Sequence, residues 1–140
     1  MNPLLILQPV AALFLLTGLV WFFMYARRLA YLTRHGIDPQ ALVTPEQLNA
    51  TLPANINSAS NNLKNLFELP VLFYALCGLL FAMQKVDAAF LYAAWAFVAL
   101  RAVHSFIHCT VNIVKFRFAA YLLSSMALWF MVARFIWLVS

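Results

Sequence analysis

The 140-residue chain has few charged residues, few glycines and few cysteines. Only 9% of its residues are charged and 66% are hydrophobic. This composition excludes an ordinary water-soluble domain. Three glycines leave little room for a P-loop or a glycine-rich dinucleotide motif, and neither motif is present. The two cysteines, Cys77 and Cys109, lie within or at the end of apolar stretches, which favours free thiols over a structural disulfide.

Four apolar stretches account for most of the chain. Each is long enough to cross a bilayer as a helix, and we expect spans at about residues 4–26, 63–83, 88–108 and 118–139. The first stretch is too long for the hydrophobic part of a signal peptide and follows no positively charged segment, so we expect it to be retained. The sequence therefore predicts an all-α integral membrane protein whose single domain is a four-helix transmembrane bundle.

A long polar connection over residues 27–62 joins the first two spans. Within it, Thr44, Pro45 and Gln47 have the spacing of a capping box with proline at the first helical position, which predicts a short surface helix or an ordered loop. Pro70, early in the second span, predicts a kink because proline disrupts the hydrogen bonding of a helix interior.

The positive charges are concentrated in two of the three connections. Six lysines and arginines lie in or beside the first and third connections, and only Lys85 lies in the second. Because cytoplasmic loops carry the excess of positive charge, we expect the long connection in the cytoplasm and both termini outside, in an inner (cytoplasmic) membrane. The formal net charge of +5 then indicates membrane lipid as a partner, and we expect no nucleic-acid partner.

The most informative feature is a polar stripe inside the third apolar stretch. His104, Ser105 and His108 follow Arg101 at offsets of 3, 4 and 7 residues, which places all four on one face of a helix. An ionisable side chain at membrane depth costs several kcal/mol unless it faces a partner or a wet cavity. The stripe therefore marks the inside of the bundle and a candidate binding site.

Glu68 is the one carboxylate expected inside a span, and Arg101 is the deepest base. Buried charges in membranes usually pair, so we expect Glu68 of the second span to lie against Arg101 of the third. Asn65 precedes Glu68 by three residues and shares its helix face. Two interpretations stay open: Glu68 neutralises an arginine and holds the bundle together, or Asn65 and Glu68 bind an ammonium group or a peptide-like ligand.

His104 and His108, one helical turn apart, have the spacing of a metal pair, but no third ligand and no HExxH glutamate accompanies them. We therefore expect no metal, and expect both histidines to hydrogen-bond across helices or to contact a ligand headgroup. Arg117, two residues after Lys115, also has two interpretations. It anchors the chain to lipid phosphates, or it is a cation at a pocket mouth that stabilises a thiolate.

In this order along the chain, these motifs resemble the MAPEG family, the membrane-associated proteins of eicosanoid and glutathione metabolism. The segment NLFELP at Asn65–Pro70 is similar to the family's N-x-x-E followed by proline, and RAVHSFIH at Arg101–His108 is similar to its R-x-x-H segment. Arg117 looks like the basic residue that the family has near the start of its fourth span. The resemblance covers nearly the whole chain, including the four spans and the long first connection.

The resemblance implies a homotrimer of four-helix bundles that binds glutathione as a co-substrate between neighbouring subunits. The implied glutathione-binding residues are Asn65, Glu68, Arg101, His104 and His108. Arg117 is the implied catalytic residue, because it would stabilise the thiolate that attacks a lipophilic small-molecule substrate or reduces a lipid peroxide.

The chain also departs from the family pattern. Asn61 stands where the glutathione enzymes usually carry arginine, and Leu69 stands where a tyrosine often follows the glutamate. His104 and His108 replace aromatic hydroxyls that are common on the third span. Two functions therefore remain: a glutathione-dependent transferase or peroxidase acting on lipophilic electrophiles in the membrane, and a non-catalytic membrane protein that binds a lipid or a partner through its polar centre.

Overall fold

The computed structural model describes residues 1–140 and contains helices but no strand. A 3-10 turn at Pro3–Ile6 leads into the first helix, and a second one lies at Pro39–Ala41. The α-helices are α1 (Leu7–Arg34), α2 (Pro45–Thr51), α3 (Ala54–Asn65), α4 (Leu69–Ala82), α5 (Ala88–Cys109) and α6 (Val114–Val139).

Four helical segments are long and apolar enough to cross a membrane, which confirms the predicted all-α integral membrane fold. They are Pro3–His35, Ala54–Ala82, Ala88–Cys109 and Val114–Val139. The second of them consists of α3 and α4 together. Successive spans alternate in direction, so both termini lie at one end of the bundle, called here the terminal end. The long connection between α1 and α3 lies at the other, the connection end.

The first helix is longer than the sequence analysis predicted. α1 continues through the two arginines after Ala26 and ends only at Arg34, just before Gly36, whose positive φ of 59° stops the helix. α3 begins at Ala54, so the part of the chain between the membrane helices covers residues 35–53 and not 27–62. Arginine and lysine end an apolar stretch without ending a helix, because both are good helix formers.

The second span is broken near its middle. α3 ends at Asn65, α4 begins at Leu69, and the backbone of Glu68 between them is non-helical, with φ −95° and ψ −104°. Pro70 stands in the first turn of α4, where its missing N–H costs nothing, and its ring excludes a continuous helix through residue 66. The kink expected from Pro70 is therefore a break that precedes it.

The capping box predicted in the long connection is present. The Thr44 hydroxyl accepts a hydrogen bond from the Gln47 backbone N–H at 3.3 Å, and the Gln47 side chain accepts one from the Thr44 N–H at 3.2 Å. Pro45 occupies the first position of α2. These contacts satisfy N–H groups at the helix start and make α2 a short ordered helix at the connection end.

The helices pack as two neighbouring pairs. α5 packs along α6, α1 packs against α3, and α5 also contacts α1 and α3. Apolar side chains fill much of the interior, with Phe73 of α4 stacked on Phe97 of α5 at 4.7 Å between ring centroids. The buried polar residues lie mainly in α3 and in the connection-end half of α5. The fold thus has a hydrophobic core and, nearer the connection end, a polar layer.

One salt bridge lies at the terminal end. Asp87, the N-cap of α5, accepts a hydrogen bond from the Phe90 N–H at 2.9 Å and one from the Arg134 guanidinium of α6 at 2.5 Å. Partial burial acts to raise the pKa of the Asp87 carboxyl, but these hydrogen bonds and the arginine charge outweigh it and hold that pKa below its usual value. The turn after α4 is thereby tied to the last helix.

Candidate functional site

Arg101 is the centre of the polar layer. Its side chain is completely buried, with the guanidinium carbon 4.8 Å from the ring centroid of Tyr121 on α6 and 5.5 Å from that of Phe97. None of its three guanidinium nitrogens has a hydrogen-bond partner in the chain. Aromatic rings attract a cation but do not replace an anion. A buried charge that has no opposite charge beside it strongly destabilises the folded protein. Arg101 is therefore a candidate position for binding an anion.

The expected ion pair between Glu68 and Arg101 is absent. The chain's one salt bridge joins Asp87 to Arg134, and Glu68 is exposed. The physical reason is the break between α3 and α4, since Glu68 lies on non-helical backbone and does not continue the buried face of α3. Within one chain, Glu68 therefore forms no salt bridge with Arg101.

His104 lies one turn from Arg101 and links α5 to α6. Its Nδ1 lies 3.0 Å from the backbone carbonyl oxygen of Arg117, and since a carbonyl only accepts, Nδ1 carries the proton. In the neutral imidazole the other nitrogen, Nε2, then has a free lone pair. Nε2 is buried and has no partner. The site therefore combines an unused hydrogen-bond donor, Arg101, with an unused acceptor on His104.

His108 extends the same stripe toward the connection end. Its ring is nearly perpendicular to that of His104, with 5.5 Å between the centroids, and its buried Nδ1 also lacks a partner. No third histidine, cysteine or carboxylate joins the two rings in a group that could hold a metal ion. The pair is therefore better suited to hydrogen bonding with a ligand than to coordination chemistry.

Arg117 stands in the first turn of α6, close to the stripe. Its guanidinium donates a hydrogen bond to the Asn112 side chain, and its backbone carbonyl accepts from His104. Arg117 itself is partly buried. The structure thus brings four of the predicted site residues together on neighbouring turns of α5 and α6: Arg101, His104, His108 and Arg117.

The remaining two predicted residues lie apart from this group. Asn65 is the last residue of α3 and Glu68 is in the break that follows, and no side-chain hydrogen bond joins either to the stripe on α5. α3, which ends at Asn65, packs against α5. They form a separate polar position beside the break in the second span.

Sequence reasoning missed Asn62, which is completely buried in α3. Its side-chain oxygen accepts from the Ser105 hydroxyl at 3.3 Å, and its amide donates to the Cys109 sulfur at 3.4 Å, so it joins α3 to α5. The signal was available: Ile56, Ala59 and Asn62 recur at helical spacing and are all buried. The asparagines and serines of NINSASNN, at residues 55–62, make this buried face hard to see in the sequence.

An apolar groove lies beside the polar layer. It has a volume of about 440 Å³ and runs between α1 and α5, with Leu19 and Phe23 on one wall and Phe106 on the other. Ser105 and Cys109 line it as well, so its polar part adjoins the Asn62 contacts. Of the stripe, only Ser105 lines a cavity of the single chain, and Arg101, His104 and His108 line none.

Comparison with curated proteins and with solved structures gives no match. A protein-family model, that of the MAPEG family, matches residues 6–137. The match includes all four spans, the break around Asn65 and Glu68, and the stripe on α5 with Arg117 after it. The chain therefore belongs to the MAPEG family, whose members are membrane proteins of eicosanoid and glutathione metabolism.

Proposed function

We propose that the protein is a glutathione-dependent transferase or peroxidase that acts on lipophilic electrophiles dissolved in the membrane. The observation that carries the proposal is the unpaired guanidinium of Arg101, buried at membrane depth. Such a charge requires an anion, and glutathione offers two carboxylates. Family membership supports the same choice of co-substrate.

The other polar groups fit the remaining parts of glutathione. The free lone pair on His104 Nε2 accepts from an N–H or S–H group, and His108 offers a second hydrogen-bonding nitrogen one turn away. Asn65 and Glu68, an amide and a carboxylate beside the helix break, suit the ammonium group. Glu68 is exposed within a span, which favours its being covered by the ligand or by a neighbouring subunit of the homotrimer we propose.

Arg117 is the residue we assign to the chemistry. Its guanidinium is a permanent cation that is only partly buried, so it stabilises a thiolate without being fixed in a salt bridge. Lowering a thiol pKa of about 8.5 by two units requires roughly 2.7 kcal/mol, within reach of one well-placed arginine. In the transferase reaction the thiol proton leaves to water, the thiolate sulfur forms a bond to the electrophilic carbon, and the leaving group departs with the electron pair of the bond that breaks. In the peroxidase reaction the thiolate attacks an oxygen of the lipid peroxide, the O–O bond breaks, and the lipid alkoxide leaves and takes up a proton. A second glutathione then displaces water from the resulting sulfenic acid and forms glutathione disulfide.

The apolar groove between α1 and α5 supplies a position for the lipophilic partner. Its volume of about 440 Å³ is that of a small-molecule site, and its walls are mainly apolar. Because it lies on the outer surface of the spans, a substrate dissolved in the lipid reaches it without passing through water. We place the connection end, with Arg117, in the cytoplasm of an inner membrane, where soluble glutathione reaches the site.

Calorimetry on the full chain in detergent tests the proposal. We expect glutathione to bind the wild type, and Arg101→Leu, which fills the buried site without a charge, to weaken binding by on the order of 10²-fold. Arg34→Leu, which removes an exposed cation at the end of α1, is the matched control and should bind as the wild type does. Absence of glutathione binding by the wild type would instead favour a non-catalytic protein that binds a lipid or a partner.

A further inference from the structure

A second polar cavity lies at the terminal end, remote from Arg101. It has a volume of about 240 Å³ and is formed by the turn between α4 and α5 together with the last turns of α6. Its polar lining includes Lys85, Asp87 and Arg134, and Phe90 and Trp137 are among its apolar lining residues. None of these residues takes part in the proposed glutathione site.

The cavity carries one uncompensated positive charge. The Asp87 carboxylate is fully engaged, since one oxygen accepts from the Phe90 N–H and the other from Arg134. Lys85 forms no salt bridge, and the Nε of Arg134 is buried without a hydrogen-bond partner. The lining therefore holds two cations and only one carboxylate, and the buried Nε–H of Arg134 is free to donate to an acceptor.

The cavity lies at the level where the membrane-spanning helices end. α4 ends at Ala82, α5 begins at Ala88 and α6 ends at Val139, so three apolar spans meet the aqueous phase at this level. Trp137 and Leu138 are exposed on the side of the cavity that continues along α6. An indole ring at such a boundary is typical of contact with lipid. The cavity therefore has a cationic part and an apolar wall next to each other.

We propose that this cavity binds an anionic phospholipid. The phosphodiester accepts hydrogen bonds from the Lys85 ammonium and from the free Nε–H of Arg134, and the first part of an acyl chain lies along Trp137 and Leu138. A phosphodiester with a neutral headgroup alcohol, as in phosphatidylglycerol, cancels the one uncompensated charge. Phosphatidylcholine brings its own ammonium group and leaves that charge in place, so it binds more weakly.

Titration of lipids into the detergent-solubilised full chain, followed by native mass spectrometry and by melting temperature, tests the proposal. We expect phosphatidylglycerol to bind and to stabilise the wild type, and Lys85→Ala to weaken that binding about fivefold, as for one lysine near a lipid surface. Lys85→Glu should weaken it further. Lys115→Ala, which removes an exposed lysine at the connection end, is the matched control and should leave the binding unchanged.

Three results would overturn the proposal. Equal binding of phosphatidylcholine would show that the charge does not select the lipid. Glycerol 3-phosphate that stabilises the protein as well as phosphatidylglycerol does would show that the ligand is a soluble phosphate ester. Equal losses in Lys85→Ala and Lys115→Ala would show diffuse attraction of lipid without a site. Lys85 is exposed and lies outside the helices, so its substitution leaves the packing intact.

Discussion

At the residue scale, one imidazole serves two purposes. The Nδ1–H of His104 ties α5 to the first turn of α6 through the Arg117 carbonyl, and this contact leaves Nε2 as an acceptor inside the site. Because the two nitrogens are separate groups, substitutions can remove one function and keep the other. Asparagine places its amide near the position of Nδ1, and glutamine places its amide near that of Nε2.

We expect His104→Asn to keep the melting temperature of the wild type and to weaken glutathione binding about fivefold, the equivalent of one hydrogen bond of about 1 kcal/mol. His104→Gln should bind glutathione better than His104→Asn does and melt at a lower temperature, because the Arg117 carbonyl loses its donor. Calorimetry and thermal unfolding in detergent measure the two effects. Identical behaviour of the two variants would contradict this division of roles.

Arg117→Ala should lower turnover of glutathione with 1-chloro-2,4-dinitrobenzene by on the order of 10²-fold, about 2.7 kcal/mol of transition-state stabilisation. Glutathione affinity should fall much less, because Arg101 and the histidines remain. The measurement is a comparison of kcat with the calorimetric Kd, with Lys115→Ala as the control that removes a neighbouring exposed cation. Unchanged turnover in Arg117→Ala would remove this arginine from the chemistry.

The sequence predicted the stripe on α5 correctly because four polar residues at helical spacing stand out against apolar neighbours. It did not predict how the charge of Arg101 is accommodated. Opposite charges in neighbouring spans suggested an ion pair, whereas Phe97 and Tyr121 surround the guanidinium. Whether a carboxylate or two aromatic rings lie against Arg101 depends on the orientation of Glu68. The break in the backbone between α3 and α4 determines that orientation.

At the scale of elements, the composition of the chain predicted the number of membrane spans better than the ends of the helices. Span limits were placed where apolar residues give way to arginine, yet α1 crosses that boundary and continues to Arg34. By contrast, the start of α2 was predicted to the residue, since a capping box and Pro45 specify a helix start by direct hydrogen bonding. Local chemistry therefore determines ends that hydropathy does not.

The salt bridge between Asp87 and Arg134 predicts a pH dependence of stability. The folded-state pKa of Asp87 is lower than its unfolded value of about 3.8, so the stability that this carboxylate contributes is present above that value and is lost as the pH falls through the folded pKa. Both side chains are partly exposed, which limits the contribution to about 1 kcal/mol at most.

We therefore expect Asp87→Asn to melt below the wild type at neutral pH, and the difference to shrink as the pH falls below about 3.8 toward the lower folded-state pKa. Asparagine still caps α5, so the comparison isolates the charge. Asp38→Asn, in the exposed connection, is the control. Melting curves in detergent from neutral pH to pH 3 make the measurement, and a difference that persists in acid would show that the ionised carboxylate is not its source.

At the scale of the whole molecule, the orientation in the membrane decides which solution reaches which site. The positive residues predict the connection end in the cytoplasm. A reporter that is active only in the cytoplasm should be silent when fused after Ser140 and active when inserted into the exposed connection after Val43. The opposite pattern would place Arg117 outside and separate it from cytoplasmic glutathione.

The packing of α5 along α6 and of α1 against α3 has a consequence for how the chain assembles. The partners in each pair are close in sequence, so each pair can associate before the two halves meet. Docking of the halves then buries Asn62 against Ser105 and Cys109. We expect two co-expressed fragments, residues 1–84 and 85–140, to reassemble into one bundle that co-purifies, and Asn62→Leu to reduce the yield of that complex. Biogenesis would then proceed by insertion of two helical hairpins, with the polar layer completed last.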